Sequence, residues 1–165
     1  MLTIIEGLFW FSSLYILPFW IMMWFAPNNS KTKQLMNNEW LFLAPLLVAY
    51  TIAVIPHLPE ILLALSSEMP TPSLVVDMFA ESDVILVGWL HFLAFDLMMG
   101  RWVWQRLVAT DKPIYISMPI LFLCMMVAPL GCLVGMIVTR DFESIKSSSS
   151  LGAGTASLAS DFFIS

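Results

Sequence analysis

The sequence predicts an all-α integral membrane protein: a bundle of four transmembrane helices followed by a flexible C-terminal tail. Hydrophobic residues make up 59% of the 165 residues and charged ones only 12%, well below the share of charge in a soluble domain. The mean hydropathy is +0.86. Four apolar stretches, Ile4 to Ala26, Trp40 to Leu65, Val84 to Trp104 and Ile114 to Val138, are each near the roughly 20 residues that cross a bilayer. None alternates with a period of two, and in lipid only helices or closed barrels satisfy their own backbone.

The first stretch is expected to stay in the membrane. It has no basic n-region, exceeds an h-region in length and lacks a small-x-small cleavage site before Asn28, so it does not read as a signal peptide. The second contains IPHLPE, in which Pro56 and Pro59 remove backbone donors; a kink or unwound turn is expected there, carrying His57 and Glu60. The third, with GWLHFLAFDLMMGRWVW at 88–104, holds His91, Asp96 and Arg101 in an otherwise apolar run.

The fourth contains PLGCLVG, with Pro129 suited to a kink and Gly131 and Gly135 spaced for close helix packing. A groove for a flat ligand is the sharper reading of the same glycines. On one continuous helix, Cys124 and Cys132 would lie about 12 Å apart, too far to bridge, and are expected to be apolar fillers. Residues 1–140 thus form the membrane domain. Residues 141–165, with SSSSLGAGTASLAS, lack the large apolar side chains needed to fold and are expected to be a flexible tail.

Orientation follows from the cations. Lys31 and Lys33 lie between the first two stretches, and Arg106 and Lys112 between the last two. Loops 27–39 and 105–113 are therefore expected to face the cytoplasm, with both chain ends opposite. Arg140 and Lys146 run against that arrangement. Trp20, Trp24, Trp40, Trp102 and Trp104 are expected to form one aromatic belt at the basic side, facing an acidic far loop with Glu68, Asp77, Glu81 and Asp83. A net charge of −5, with no basic patch, phosphate-cradling loop or internal repeat, excludes a nucleic-acid partner and leaves membrane lipids.

His91, Asp96 and Arg101 are five residues apart in turn, so each is rotated about 140° from the last. Counted from Val84, they lie about 10, 18 and 26 Å into a core of about 30 Å. Arg101 is expected to snorkel to the basic surface among Trp102 and Trp104. Asp96 is near the midplane, where an aspartate costs about 2.5 to 3.5 kcal/mol on insertion scales and turns inward, paired or lining a cavity. One polar chamber is expected from Glu60, His91 and Asp96 with Tyr15 and Tyr50. The alternative is a purely structural hydrogen bond from Asp96 to Tyr15 or Tyr50. The spacing fits no metal site, and neither metal nor cofactor is expected. The twelve methionines suit a long apolar ligand or ordinary packing.

Several motifs occur together: LPF at 17–19, APN at 26–28 followed by Thr32 and Lys33, PE at 59–60 and MF at 78–79. The run W-x-H-x-L-x-x-D-L-x-x-x-R spans Trp89 to Arg101, followed by P-x-G at 129–131 and TR at 139–140. With these motifs, over about residues 15 to 140, the chain resembles the abscisic-acid-deficient-four-like family of small integral membrane proteins. Its plant members are needed to form neoxanthin from violaxanthin. The resemblance implies carotenoid or xanthophyll metabolism by a cofactor-independent acid-base isomerisation of a carotenoid or related isoprenoid. It implies Asp96 as a protonated acid, His91 or Glu60 as base, and Tyr15, Tyr50, Trp89 and Arg101 as ligand-lining candidates. His57 falls outside the family pattern. Plant members carry a transit peptide, whereas this chain starts directly at its first span, which points to a bacterial inner membrane. A non-catalytic scaffold that holds a lipid or pigment, and a small proton-linked carrier built on His91 and Asp96, stay open. A homo-oligomer or a carotenoid-enzyme partner also stays open.

Overall fold

The computed structural model describes residues 2–67 and 71–142. All regular structure among them is helical. Helix α1 (Leu2–Phe25) is apolar on every side and contains Pro18. Two short helices follow, each started by an asparagine whose side chain accepts from an orphan backbone N–H. Asn29 caps α2 (Ser30–Asn37) through Lys31 N, and Asn38 caps α3 (Glu39–Phe42) through Leu41 N. Helix α4 (Ala44–Val54) starts with a proline in its first turn, where no donor is needed.

Pro56 and Pro59 tighten the chain rather than unwind it. A single 3-10 turn, Ile55–His57, joins α4 to α5 (Leu58–Ser67). Thr71 caps α6 (Pro72–Met78). The 28-residue α7 (Ser82–Ala109) then runs the full depth of the bundle. Three segments are long and apolar enough to cross a membrane: Ile4–Phe25, Ala44–Leu63 and Ser82–Ala109.

The fourth apolar stretch departs from expectation. It folds as α8 (Ile114–Met126) and α9 (Ala128–Val138), broken at Val127, whose φ of −147° and ψ of 79° lie outside the helical region. At 1.5 Å per residue the two rise only about 20 and 16 Å, short of a bilayer core of about 30 Å. They pack against each other as a helical hairpin. A β-carbon on Gly131 would fall 2.4 Å from the backbone nitrogen of Cys124, and one on Gly135 3.5 Å from the Ile120 side chain. On a straight helix, Ile120 and Gly135 would be about 22 Å apart. The broken backbone is still satisfied: the Val127 N–H donates to Leu123, and the N–H groups of Leu130 and Gly131 donate to the Val127 carbonyl.

Helix α7 is the axis of the bundle, packed against α1, α4, α8 and α9. Its contact with α1 depends on Gly100, where an added β-carbon would sit 2.2 Å from the Trp20 ring. Trp20 is fully buried, in a core with Phe19, Met23, Phe42, Leu97, Val103 and Leu121. Trp104 is also in the core, and its indole donates to the Pro27 carbonyl at 3.2 Å. The expected tryptophan belt is therefore split: Trp20 and Trp104 pack inside, and Trp40 is 85% exposed.

The hairpin returns the chain to the end from which α8 departs. Arg106, in the last turn of α7, is buried and donates from Nε to Thr139 Oγ1 at 3.1 Å, just beyond the end of α9. The same guanidinium lies over the Trp102 and Phe142 rings. The described chain thus ends at its basic pole, not opposite as the four-span reading required. With that change Arg140 joins Lys31, Lys33, Arg101, Arg106 and Lys112, so every described Lys and Arg lies at one pole. Glu60, Asp77 and Glu81 cluster at the other. Lys146, Glu68 and the tail from 143 onward lie outside the described residues.

Two outcomes test this architecture. A topology reporter placed after Arg140 should read out on the same side of the membrane as one placed in the 105–113 loop; a fourth crossing would put them on opposite sides. Gly131→Ala should destabilise the hairpin by about 1–3 kcal/mol through overpacking. Gly7→Ala, which meets nothing within 4 Å, should leave the thermal midpoint in detergent unchanged or slightly raised.

Candidate functional site

One cavity follows from the hairpin. Because α8 and α9 turn back at Val127, the tip stops partway through the bundle and leaves a space between α1, α7 and itself. This cavity is about 490 Å³ and is walled by Ser13, Ile16, Leu17 and Trp20 of α1, Trp89, Phe92, Leu93 and Asp96 of α7, and Met125 to Pro129 of the tip. Such a volume is typical of a site for a small ligand or for one end of a long one. Leu17, Trp89, Phe92, Met126 and Val127 are exposed, so the cavity opens sideways between helices.

Asp96 is the ionisable side chain on this wall. Ser13 Oγ and Trp20 Nε1 are buried without a hydrogen-bond partner, enclosed by protein rather than open to the cavity.

The remaining candidates do not join Asp96 in one chamber. His91 points away from the cavity, stacked on Phe95 with centroids 4.5 Å apart and edge-on to Tyr50 at 5.5 Å. That divergence is what the five-residue offset imposes. Glu60 lies at the acidic pole with His57, Asp77 and Glu81 around a separate small hollow. The Tyr15 hydroxyl donates to the Leu41 carbonyl, so neither it nor Tyr50 holds Asp96. Arg101 reaches the basic pole beside Trp102, with its head group bound rather than free. Its Nε donates to the Met36 carbonyl at 2.7 Å and its Nη1 pairs with Glu39 at 3.1 Å, tying α7 to the α2–α3 connection. Trp89 lines the cavity with Asp96, and its ring lies 6.1 Å from Phe9. Among the described residues no group of three His, Cys, Asp or Glu side chains is arranged to hold a metal ion.

The sequence reading did not anticipate the tip residues Met125 to Pro129, or Trp20, as part of this wall. The signal available was two prolines, Pro119 and Pro129, and two glycines within one apolar stretch, which support a turn as well as a kink. No curated protein and no solved structure matches the chain. The profile of the ABA DEFICIENT 4-like family matches residues 7–134, a range that contains most of Ile4–Phe25, all of Ala44–Leu63 and Ser82–Ala109, the cavity wall and both glycines Gly100 and Gly131. The chain therefore belongs to the ABA DEFICIENT 4-like family, which is linked to carotenoid and xanthophyll metabolism.

Proposed function

We propose that the lateral cavity takes the oxygen-bearing ring end of a carotenoid or related isoprenoid, and that Asp96 performs acid-base isomerisation on it. One observation carries this reading: a single ionisable group, Asp96, stands on the wall of an otherwise apolar, aromatic cavity that opens towards the lipid. A long isoprenoid reaches such a site without leaving the membrane, with its chain lying along the exposed faces of Leu17, Phe92 and Met126.

The chemistry needs one proton delivered and one removed. Opening a ring epoxide to an allenic alcohol breaks a carbon–oxygen bond, adds a proton to that oxygen and takes another from carbon, with no net redox change. Because His91 and Glu60 lie away from the cavity, the same carboxyl serves in both directions. Asp96 gives its proton to the oxygen, and the resulting carboxylate recovers one from carbon. Migration of a polyene double bond uses the same exchange.

In this reading the basic pole, with loops 27–39 and 105–113, faces the cytoplasm. Support comes from the gathering of the described cations at that pole, since cytoplasmic loops carry the excess of Lys and Arg.

The test is expression in a carotenoid-producing host, followed by purification in mild detergent and analysis of bound and released pigments. The wild type should carry a carotenoid and yield a product isomeric with it. Asp96→Asn should keep the pigment and lose conversion by about 10²- to 10⁴-fold, the usual worth of a positioned acid or base. Unchanged conversion in Asp96→Asn would rule out the acid-base role. Bound pigment with no product in either protein would identify a scaffold that holds the lipid for another enzyme.

A further inference from the structure

We propose that Cys124 and Cys132 are a redox-active thiol pair that closes to a disulfide across the hairpin, with a lipid-soluble quinone as the oxidant. The inference does not rest on the carotenoid reading of the cavity. Spacing alone separates the two residues, because eight positions along a continuous helix put them on different levels. The break at Val127 removes that separation. Cys124 is in the last turn of α8 and Cys132 near the start of α9. The glycine preceding Cys132 lies so close to Cys124 that a β-carbon on it would be 2.6 Å from both the Cys124 Cα and Sγ. The backbones are thus in contact beside the pair. Both are free and buried.

Closure forms one sulfur–sulfur bond and breaks two sulfur–hydrogen bonds. Two electrons and two protons pass to the quinone, which leaves as hydroquinone. A quinone is the suitable oxidant class because the thiols are shielded from water behind the tip. The neighbouring cavity opens to the lipid and is walled by the flat rings of Trp89, Phe92 and Trp20. The bond would tie the last turn of α8 to the beginning of α9. Residues Met125 to Pro129, which wall the cavity, lie between the two cysteines, so oxidation would fix the shape of that wall.

The experiment uses the full chain in phosphatidylcholine nanodiscs, reduced first and then exposed to a short-chain benzoquinone. Free thiols are counted by maleimide mass tagging after denaturation, and the intact mass is measured. The wild type should pass from two tags to none, lose the mass of two hydrogen atoms, release one hydroquinone per chain and recover both tags with dithiothreitol. Cys124→Ser and Cys132→Ser should each keep the remaining thiol about tenfold longer or more, because no partner is left to resolve it. Persistence of two tags in the wild type, equal rates of thiol loss in the single-cysteine variants, or disulfide-linked dimers in place of the intramolecular bond would each overturn the proposal.

Discussion

The backbone contact between α8 and α9 at Gly131 is the constraint on which the rest of the molecule depends. With a hydrogen in place of a side chain, the α9 backbone comes down on Cys124, and the pair folds back instead of continuing outward. Gly135 repeats the device one turn later against Val103 and Ile120. Between helices in lipid there is little hydrophobic gain from association, so close packing at small residues carries much of the contact. The consequences spread from there: the tip halts partway, a cavity is left beside Asp96, and the described chain ends at the pole where α8 began.

Two arginines secure that pole. Arg106 closes the hairpin by donating to Thr139, with the Trp102 and Phe142 rings on its guanidinium. Its charge also lies near the end of α9, where a cation favours the unsatisfied carbonyls. Arg101 secures the other side by bonding the Met36 carbonyl and Glu39, so α2 and α3 are held against α7. Both arginines fall near the depth where the chain was expected to meet the interface. Neither is simply solvated, because each has backbone or hydroxyl oxygens to bind. The W-x-H-x-L-x-x-D-L-x-x-x-R run therefore serves two ends of the protein: Trp89 and Asp96 face the cavity, and Arg101 holds the basic pole.

Much of this was legible in the sequence, and the failures share one cause. Length and apolarity identify membrane helices, and rotation per residue correctly separates His91 from Asp96. A 25-residue apolar stretch with two prolines and two glycines reads equally as a kinked span and as a hairpin, because hydropathy measures solubility in lipid and not direction of travel. Read as a span, the stretch sets the last described residues opposite the basic pole, leaves Arg140 at odds with the other cations and separates Cys124 from Cys132. The expected polar chamber failed for a related reason. Residues at equal depth, such as Tyr50 and Asp96, were grouped although depth fixes only one of three coordinates. The azimuth of α4 about α7 turns Tyr50 towards His91 instead.

The sideways opening of the cavity bears on what can give specificity there. In water, an apolar ligand gains by leaving solvent, at about 25 cal/mol per Å². A ligand already dissolved in lipid gains little from moving between two apolar environments. Trp89, Phe92, Met125 and Met126 can match its shape, but lipid tails compete for the same surfaces. Discrimination must come from a group the lipid tails cannot satisfy, and on this wall that group is the Asp96 carboxyl. It gains no partner when hydrocarbon fills the cavity and can gain one when an oxygen enters it, a difference of about 1–3 kcal/mol for one buried polar group. An occupant with oxygen on an otherwise hydrocarbon skeleton is therefore favoured over bulk lipid by that one carboxyl.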